Sequence, residues 1–267
     1  MYNEHYTKIG KIENKYYQYT MTCFRRKETE DKESKYNRLC VQAKMNKDWE
    51  ALIVAQKKLT KIRDHPAEIS RIAEAYIQLE QPKEAEVNYM LAISSYSTRG
   101  DMFKCADIYE RIAKIWSGID DDKCIEAYET CLTLAVGHSR DRINLEFADQ
   151  LISVEKYHEA AQAILEVCQN RVDSVMRSDA NRQLLKYAIC QTLAEPCESG
   201  ESVLWDFCCD LSCSFEGSPE EKIVKALSDP DELSRACREY DRIVHLTPIL
   251  VSLFLKIKNS LEHPDLR

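Results

Sequence analysis

The chain has 267 residues, of which 37 are Lys or Arg and 45 Asp or Glu, for a net charge of −8; 44% are apolar, with only six glycines and seven prolines. So little Gly and Pro leaves scant material for the turns and bulges of a many-stranded sheet or for a phosphate-cradling loop. The acidic balance argues against nucleic acid as a partner, because phosphates call for clustered Lys and Arg.

Helical spacing recurs along the whole chain, which at roughly 150 residues per domain makes one elongated unit or two small ones. Asp48 is placed to cap a helix whose apolar positions are Trp49, Leu52, Ile53, Leu59 and Ile62, ending at His65 and Pro66. The next runs from Ala67 through Ile69, Ile72, Ala73, Tyr76 and Ile77. Pro82 stands at a first helical position and opens a helix with Ala85, Tyr89, Ala92, Ile93 and Tyr96, which Gly100 stops. Asp101 caps another, through Ala106, Ile112, Ala113 and Trp116, ending near Gly118. Residues 121–136, 139–153, 156–171, 179–194 and 199–213 repeat the pattern, and three more helices follow Ser218, Asp231 and Thr247. No segment reads as a strand.

A short phrase ending in alanine also recurs: Asp48-Trp49-Glu50-Ala51, Pro82-Lys83-Glu84-Ala85, Cys124-Ile125-Glu126-Ala127 and Tyr157-His158-Glu159-Ala160, with the alanines 34, 42 and 33 residues apart. Such periods in an all-helical chain mean stacked antiparallel helix pairs, with the small residue facing a neighbour. A tetratricopeptide-like solenoid is the expected architecture, and an irregular bundle the alternative.

Charge is uneven. Residues 1–64 carry 15 basic and 9 acidic side chains, and the remainder 22 and 36. A basic amino end and an acidic carboxyl end suit a bridge between unlike partners, although uneven solvation of surface helices produces the same count. The twelve cysteines include no CxxC pair and no neighbouring His set, so neither zinc nor another metal is expected. Met1 to Gly10 has no apolar run of a secretory signal, which points to a reducing compartment and free thiols. Cys105, Cys124, Cys131 and Cys190 fall on apolar helix positions and read as core; the Cys208, Cys209, Cys213 cluster is the one group for thiol chemistry. Ile249 to Leu255 is the longest apolar stretch, far below the roughly 20 residues of a membrane span. No GxGxxG, GxxxxGK or GxSxG is present and the six His residues are scattered, so no cofactor and no enzymatic activity are expected.

Several phrases in order carry a family resemblance. These are Tyr36 through Ala51, ending in Lys44-Met45-Asn46-Lys47-Asp48-Trp49-Glu50-Ala51, and Gln81-Pro82-Lys83-Glu84-Ala85 through Tyr96, Gly100, Ile112-Ala113 and Ile115. Glu155-Lys156-Tyr157-His158-Glu159-Ala160 is another, and Glu239-Tyr240-Asp241-Arg242-Ile243 leads through Leu246, Leu253, Leu255 and Ile257-Lys258 to Asp265-Leu266-Arg267. Together, over residues 15–267, they resemble the soluble NSF attachment proteins, the alpha branch in particular.

The resemblance implies an all-α fold: a tetratricopeptide-like twisted sheet of antiparallel helix pairs over residues 1–175, then a carboxyl-terminal helical bundle over 176–267. It implies an adaptor that binds the SNARE four-helix bundle (syntaxin-like, synaptobrevin-like and SNAP-25-like chains) and recruits and stimulates the hexameric AAA ATPase NSF for SNARE disassembly. Peripheral membrane contact in the cytoplasm is part of that picture. A SNAP-like helical-repeat scaffold with non-SNARE partners is the alternative. Residue by residue, Tyr17, Tyr19, Met21 and Phe24 correspond to the family's membrane-contacting loop, without its double Phe and Gly residues. Arg142, Val175, Met176 and Arg177 correspond to the SNARE-binding face, while Asp101, Asp107, Glu146 and neutral Asn181 stand where the family is basic. Arg99, Lys104, Arg140 and Arg182 lie nearby as substitutes. Glu195, Asp229, Asp231, Glu232, Asp265 and Leu266 correspond to the ATPase-binding end.

Overall fold

The computed structural model describes residues 28–63, 65–171, 177–195 and 200–262, and every regular element among them is helical. Helix α1 covers residues 28–45. It is followed by α2 (Trp49–Thr60), α3 (Pro66–Gln78), α4 (Pro82–Thr98), α5 (Met102–Trp116), α6 (Asp121–Leu134) and α7 (His138–Ser153). Then come α8 (Tyr157–Arg171), α9 (Arg177–Ala194), α10 (Gly200–Leu211), α11 (Pro219–Val224), α12 (Pro230–Ile243) and α13 (Pro248–Glu262).

The helix starts follow local chemistry. Asp48, Asp120 and Ser218 each accept a hydrogen bond from an amide of the first turn, and prolines open α3, α4, α11 and α12, where a missing N–H costs nothing. Two expected boundaries move for the same reason. His65 and Pro66 begin α3 rather than end α2, with His65 Nδ1 accepting from the Ala67 amide. Asp229, not Asp231, caps α12, because Pro230 takes the first helical position and the preceding carboxylate accepts from the Asp231 and Glu232 amides.

The chain divides into two compact units, Met1–Ile108 and Tyr109–Arg267. In the first, α2 packs on α3 and α3 on α4. Ala43, Leu52, Ile53, Ile72 and Ala75 form a cluster flanked by Trp49, Tyr76 and Leu79. In the second, α6 to α9 pack in succession, and α9 also touches α10, α11 and α13. Ala180, Leu184, Leu185, Ala188, Ile189 and Cys190 of α9 are all sealed from solvent.

The repeat is present, but its register is set by the helix start rather than by the alanine phrase. The fourth helical residue is buried in α2, α4, α5, α6, α8 and α9, as Leu52, Ala85, Cys105, Cys124, Ala160 and Ala180. Ala127 is also buried, but Ala51, expected to face a neighbour, is exposed. Asp48 starts α2 so that Ala51 is third, about 100° short of the inward direction.

The core assignments of Cys105, Cys124, Cys131 and Cys190 hold, and Cys168 and Cys208 join them. Burial pushes the Cys124 thiol up to about 11 and those of Cys190 and Cys208 to about 12, while Cys213 is exposed. Because the thiolate is the reactive form, an aqueous alkylating reagent near pH 8 should modify Cys213 in the native chain and reach Cys124, Cys190 and Cys208 only on unfolding. Peptide mapping by mass spectrometry reads this directly; early labelling of Cys190 would contradict its burial.

Candidate protein-interaction surfaces

Among the expected SNARE-facing residues, Arg142 is described in full; Val175 and Met176 lie outside the described residues, and Arg177 is described as the first residue of α9 without its side chain. Arg142 projects from α7 toward α5. Its guanidinium donates to both carboxylate oxygens of Glu110, at 2.8 and 2.6 Å, and to Glu146 at 2.6 Å. Lys114 closes the group, 2.7 Å from Glu110 and 2.9 Å from Glu146. Two bases thus meet two acids. The Arg142 hydrogen bonds hold the largely buried Glu110 carboxyl down at about 2, and Glu110 in turn raises the guanidinium further. Arg142 is half exposed, but its charge is balanced within the fold.

The neighbouring substitutions have structural employment as well. Asp101 accepts from the Lys104 amide at the start of α5. Asn181 is buried and binds the turn after α10: its amide donates to the Ser214 carbonyl at 2.9 Å and its oxygen accepts from Ser212 and Ser214. A Lys or Arg there would bury an uncompensated charge. Arg140 donates to Glu166 at 2.8 Å and to the Leu132 carbonyl at 3.0 Å, joining α7 to α8 and α6. The i,i+4 pairs Glu110–Lys114 and Arg142–Glu146 are visible in the sequence; their union across two helices is not.

At the carboxyl-terminal end, Glu195 is exposed just beyond α9, and Asp229, Asp231 and Glu232 are exposed around the start of α12. Asp229, Asp231 and Glu232 form an acidic turn whose position the α12 dipole favours. Asp265 and Leu266 lie outside the described residues, as do Tyr17, Tyr19, Met21 and Phe24. Helix α13 seats Leu250, Leu253, Phe254 and Ile257 inward, and Lys256 reaches back to Glu155 and the Tyr157 hydroxyl, each at 2.7 Å. Among the described residues no group of three or more His, Cys, Asp and Glu is placed to hold a metal ion.

A family model, Soluble NSF attachment protein, SNAP, matches residues 13–262. The chain belongs to that family. This SNAP family chain is 26% identical over 253 residues to the human alpha-soluble NSF attachment protein, covering 87% of this chain and 85% of the relative. It is 24% identical over 247 residues to the bovine beta-soluble NSF attachment protein, covering 85% and 82%. Its fold is similar to crystal structures of a tetratricopeptide repeat protein from Parabacteroides merdae (TM-score 0.51, 14% identity, 88% and 89% coverage) and of the C-terminal part of a TPR repeat-containing protein from Cytophaga hutchinsonii (0.53, 12%, 82% and 86%). The chain therefore has the all-α helical-repeat fold expected. No described helix is long and apolar enough to cross a membrane.

Proposed function

We propose that this SNAP family member is an adaptor without catalytic activity of its own, which binds assembled SNARE complexes and recruits and stimulates an NSF-type hexameric ATPase to take them apart. The observation that carries the reading is the family match across residues 13–262. The exposed acidic turn at Asp229, Asp231 and Glu232, and exposed Glu195 after α9, support assignment of the carboxyl-terminal end to the ATPase, with Asp265 and Leu266 beyond it in the sequence. Tyr17, Tyr19, Met21 and Phe24, beside Arg25, Arg26 and Lys27, support peripheral attachment to the cytoplasmic face of a membrane.

A second reading, a helical-repeat scaffold for non-SNARE partners, is favoured by one observation: Arg142 is saturated by Glu110 and Glu146, and the basic positions around it are lost. A pull-down on recombinant SNARE complex, with and without the ATPase, separates the two. The adaptor reading expects the chain to be retained by SNARE complex and to bring the ATPase with it; failure of a folded chain to be retained would favour the scaffold. Leu266→Ala should then lower ATPase-driven disassembly roughly tenfold while SNARE retention is unchanged, as for loss of one apolar anchor. Undiminished disassembly would remove Leu266 from the contact. Arg142→Glu is a poor probe of this surface, since it sets a third carboxylate beside Glu110 and Glu146. Arg177→Glu tests the other basic position read from the sequence.

A further inference from the structure

We infer that the first unit carries a second lipid-contacting element, the α4–α5 turn with the basic end of α2, which docks on an anionic membrane surface. The packing of α2 on α3 and α3 on α4, each joined by a short turn, makes neighbours antiparallel. The α2–α3 and α4–α5 turns therefore emerge at the same end of the unit. Arg63 in the first of these turns pairs with Glu33, which brings the start of α1 to that end as well.

Apolar and basic side chains share this edge. Met102 and Phe103, the first two residues of α5, are 45% and 63% exposed. Exposed Arg99 and Lys104 flank them, and the Lys104 ammonium lies 5.8 Å from the centroid of the Phe103 ring. Across the edge, residues 51–63 hold four bases, followed in sequence by the one acid Asp64, and Lys58 and Lys61 are exposed. Three acids at this end have partners, Glu28 with Lys32 at 2.7 Å, Glu33 with Arg63 and Asp101 with the Lys104 amide, while Glu30 and Asp31 on the first turn of α1 are exposed there too.

Two exposed apolar side chains at a helix start, flanked by long cationic stems, match a headgroup layer better than a protein groove. The tips enter the acyl boundary while the ammonium groups stay among phosphates. The inference extends the peripheral attachment proposed above to residues outside the amino-terminal segment. The assay contains neither SNARE nor ATPase, so its failure leaves the adaptor reading untouched.

Sedimentation of the full chain with vesicles of phosphatidylcholine, with and without phosphatidylserine, tests it. Met102→Ser with Phe103→Ser should weaken binding roughly tenfold on phosphatidylserine vesicles, the scale of removing two partly inserted side chains. Lys58→Gln with Lys61→Gln should weaken binding about fivefold per lysine, only where phosphatidylserine is present. Leu91→Ser, at a 56% exposed apolar position on the flank of α4, should have no effect. The inference is overturned if the parent does not bind vesicles, or if the Met102 and Phe103 variant binds like the parent while Tyr17, Tyr19, Met21 and Phe24 changed to Ser abolish binding. It is also overturned if that variant loses SNARE complex in solution and keeps vesicles, which would make the turn a protein contact.

Discussion

Leu184→Ala should lower the unfolding free energy by about 3–4 kcal/mol, seen as an earlier urea midpoint with an unchanged slope. Leu184 is completely buried in α9, the helix of the second unit that α8, α10, α11 and α13 all touch. A cavity beside a helix lining the margin of a fold closes partly as side chains relax inward. One beside α9 has packed elements on several sides, and the surrounding Leu185, Ala188 and Ile189 are themselves sealed, so little can move in. The expected cost therefore lies in the middle to upper part of the range for buried leucines. Val203→Ala on α10, at a 65% exposed position, should change stability by less than about 0.5 kcal/mol. Similar losses at both positions would mean that α9 does not occupy the centre of the unit.

The central place of α9 was not legible in the chain. Amphipathic helices such as α3 and α5 announce a wet and a dry face, but α9 has buried Ala180, Leu184, Leu185, Ile189 and Cys190 spread around most of its circumference, and only the surrounding helices reveal why. Helix positions were legible because caps and prolines act locally: Asp48, Asp120, Pro82 and Ser218 each do their work within one turn. The tight turns between helices were less so. Gly100 and Gly118 take the left-handed conformation that glycine favours, yet Lys47, Glu80 and Glu155 adopt it too, at φ of 56°, 57° and 63°. A chain with six glycines makes its remaining turns from residues that carry a cost of about 1–2 kcal/mol there, and no composition rule identifies which.

The candidate surface shows the same division. The acidic turn at Asp229, Asp231 and Glu232 is contiguous in sequence and remains contiguous and exposed in the fold. The basic face is not contiguous. Arg142 reads from its position as a contact, whereas Glu110 lies 32 residues away and balances it through a helix pairing that a charge pattern does not encode. Asn181 likewise reads as a lost charge, and the structure makes it the link between α9 and the turn at Ser212 and Ser214.

Glu110→Ala should destabilise the chain by about 2 kcal/mol near neutral pH, less than for a fully buried ion pair because Arg142 and Lys114 remain half exposed and keep part of their hydration. The sign of the accompanying pH dependence is fixed. Its carboxyl titrates at about 2 in the fold against 4.5 for the unperturbed group, so the unfolded chain takes up the proton first on acidification. The stabilisation is therefore complete above about pH 4.5 and is lost as pH falls toward 2. Urea midpoints across that interval should fall for the parent and fall less for Glu110→Gln; parallel curves would mean that Glu110 is not held by Arg142. Arg142→Met supplies the other arm of a double-mutant cycle, with an expected coupling of about 1–2 kcal/mol for a bidentate pair. That cycle also decides what Arg142 is for. Strong coupling with undisturbed SNARE binding makes it an internal strut between α5 and α7, whereas weak coupling with reduced binding makes it a contact whose ties to Glu110 and Glu146 open when a partner arrives.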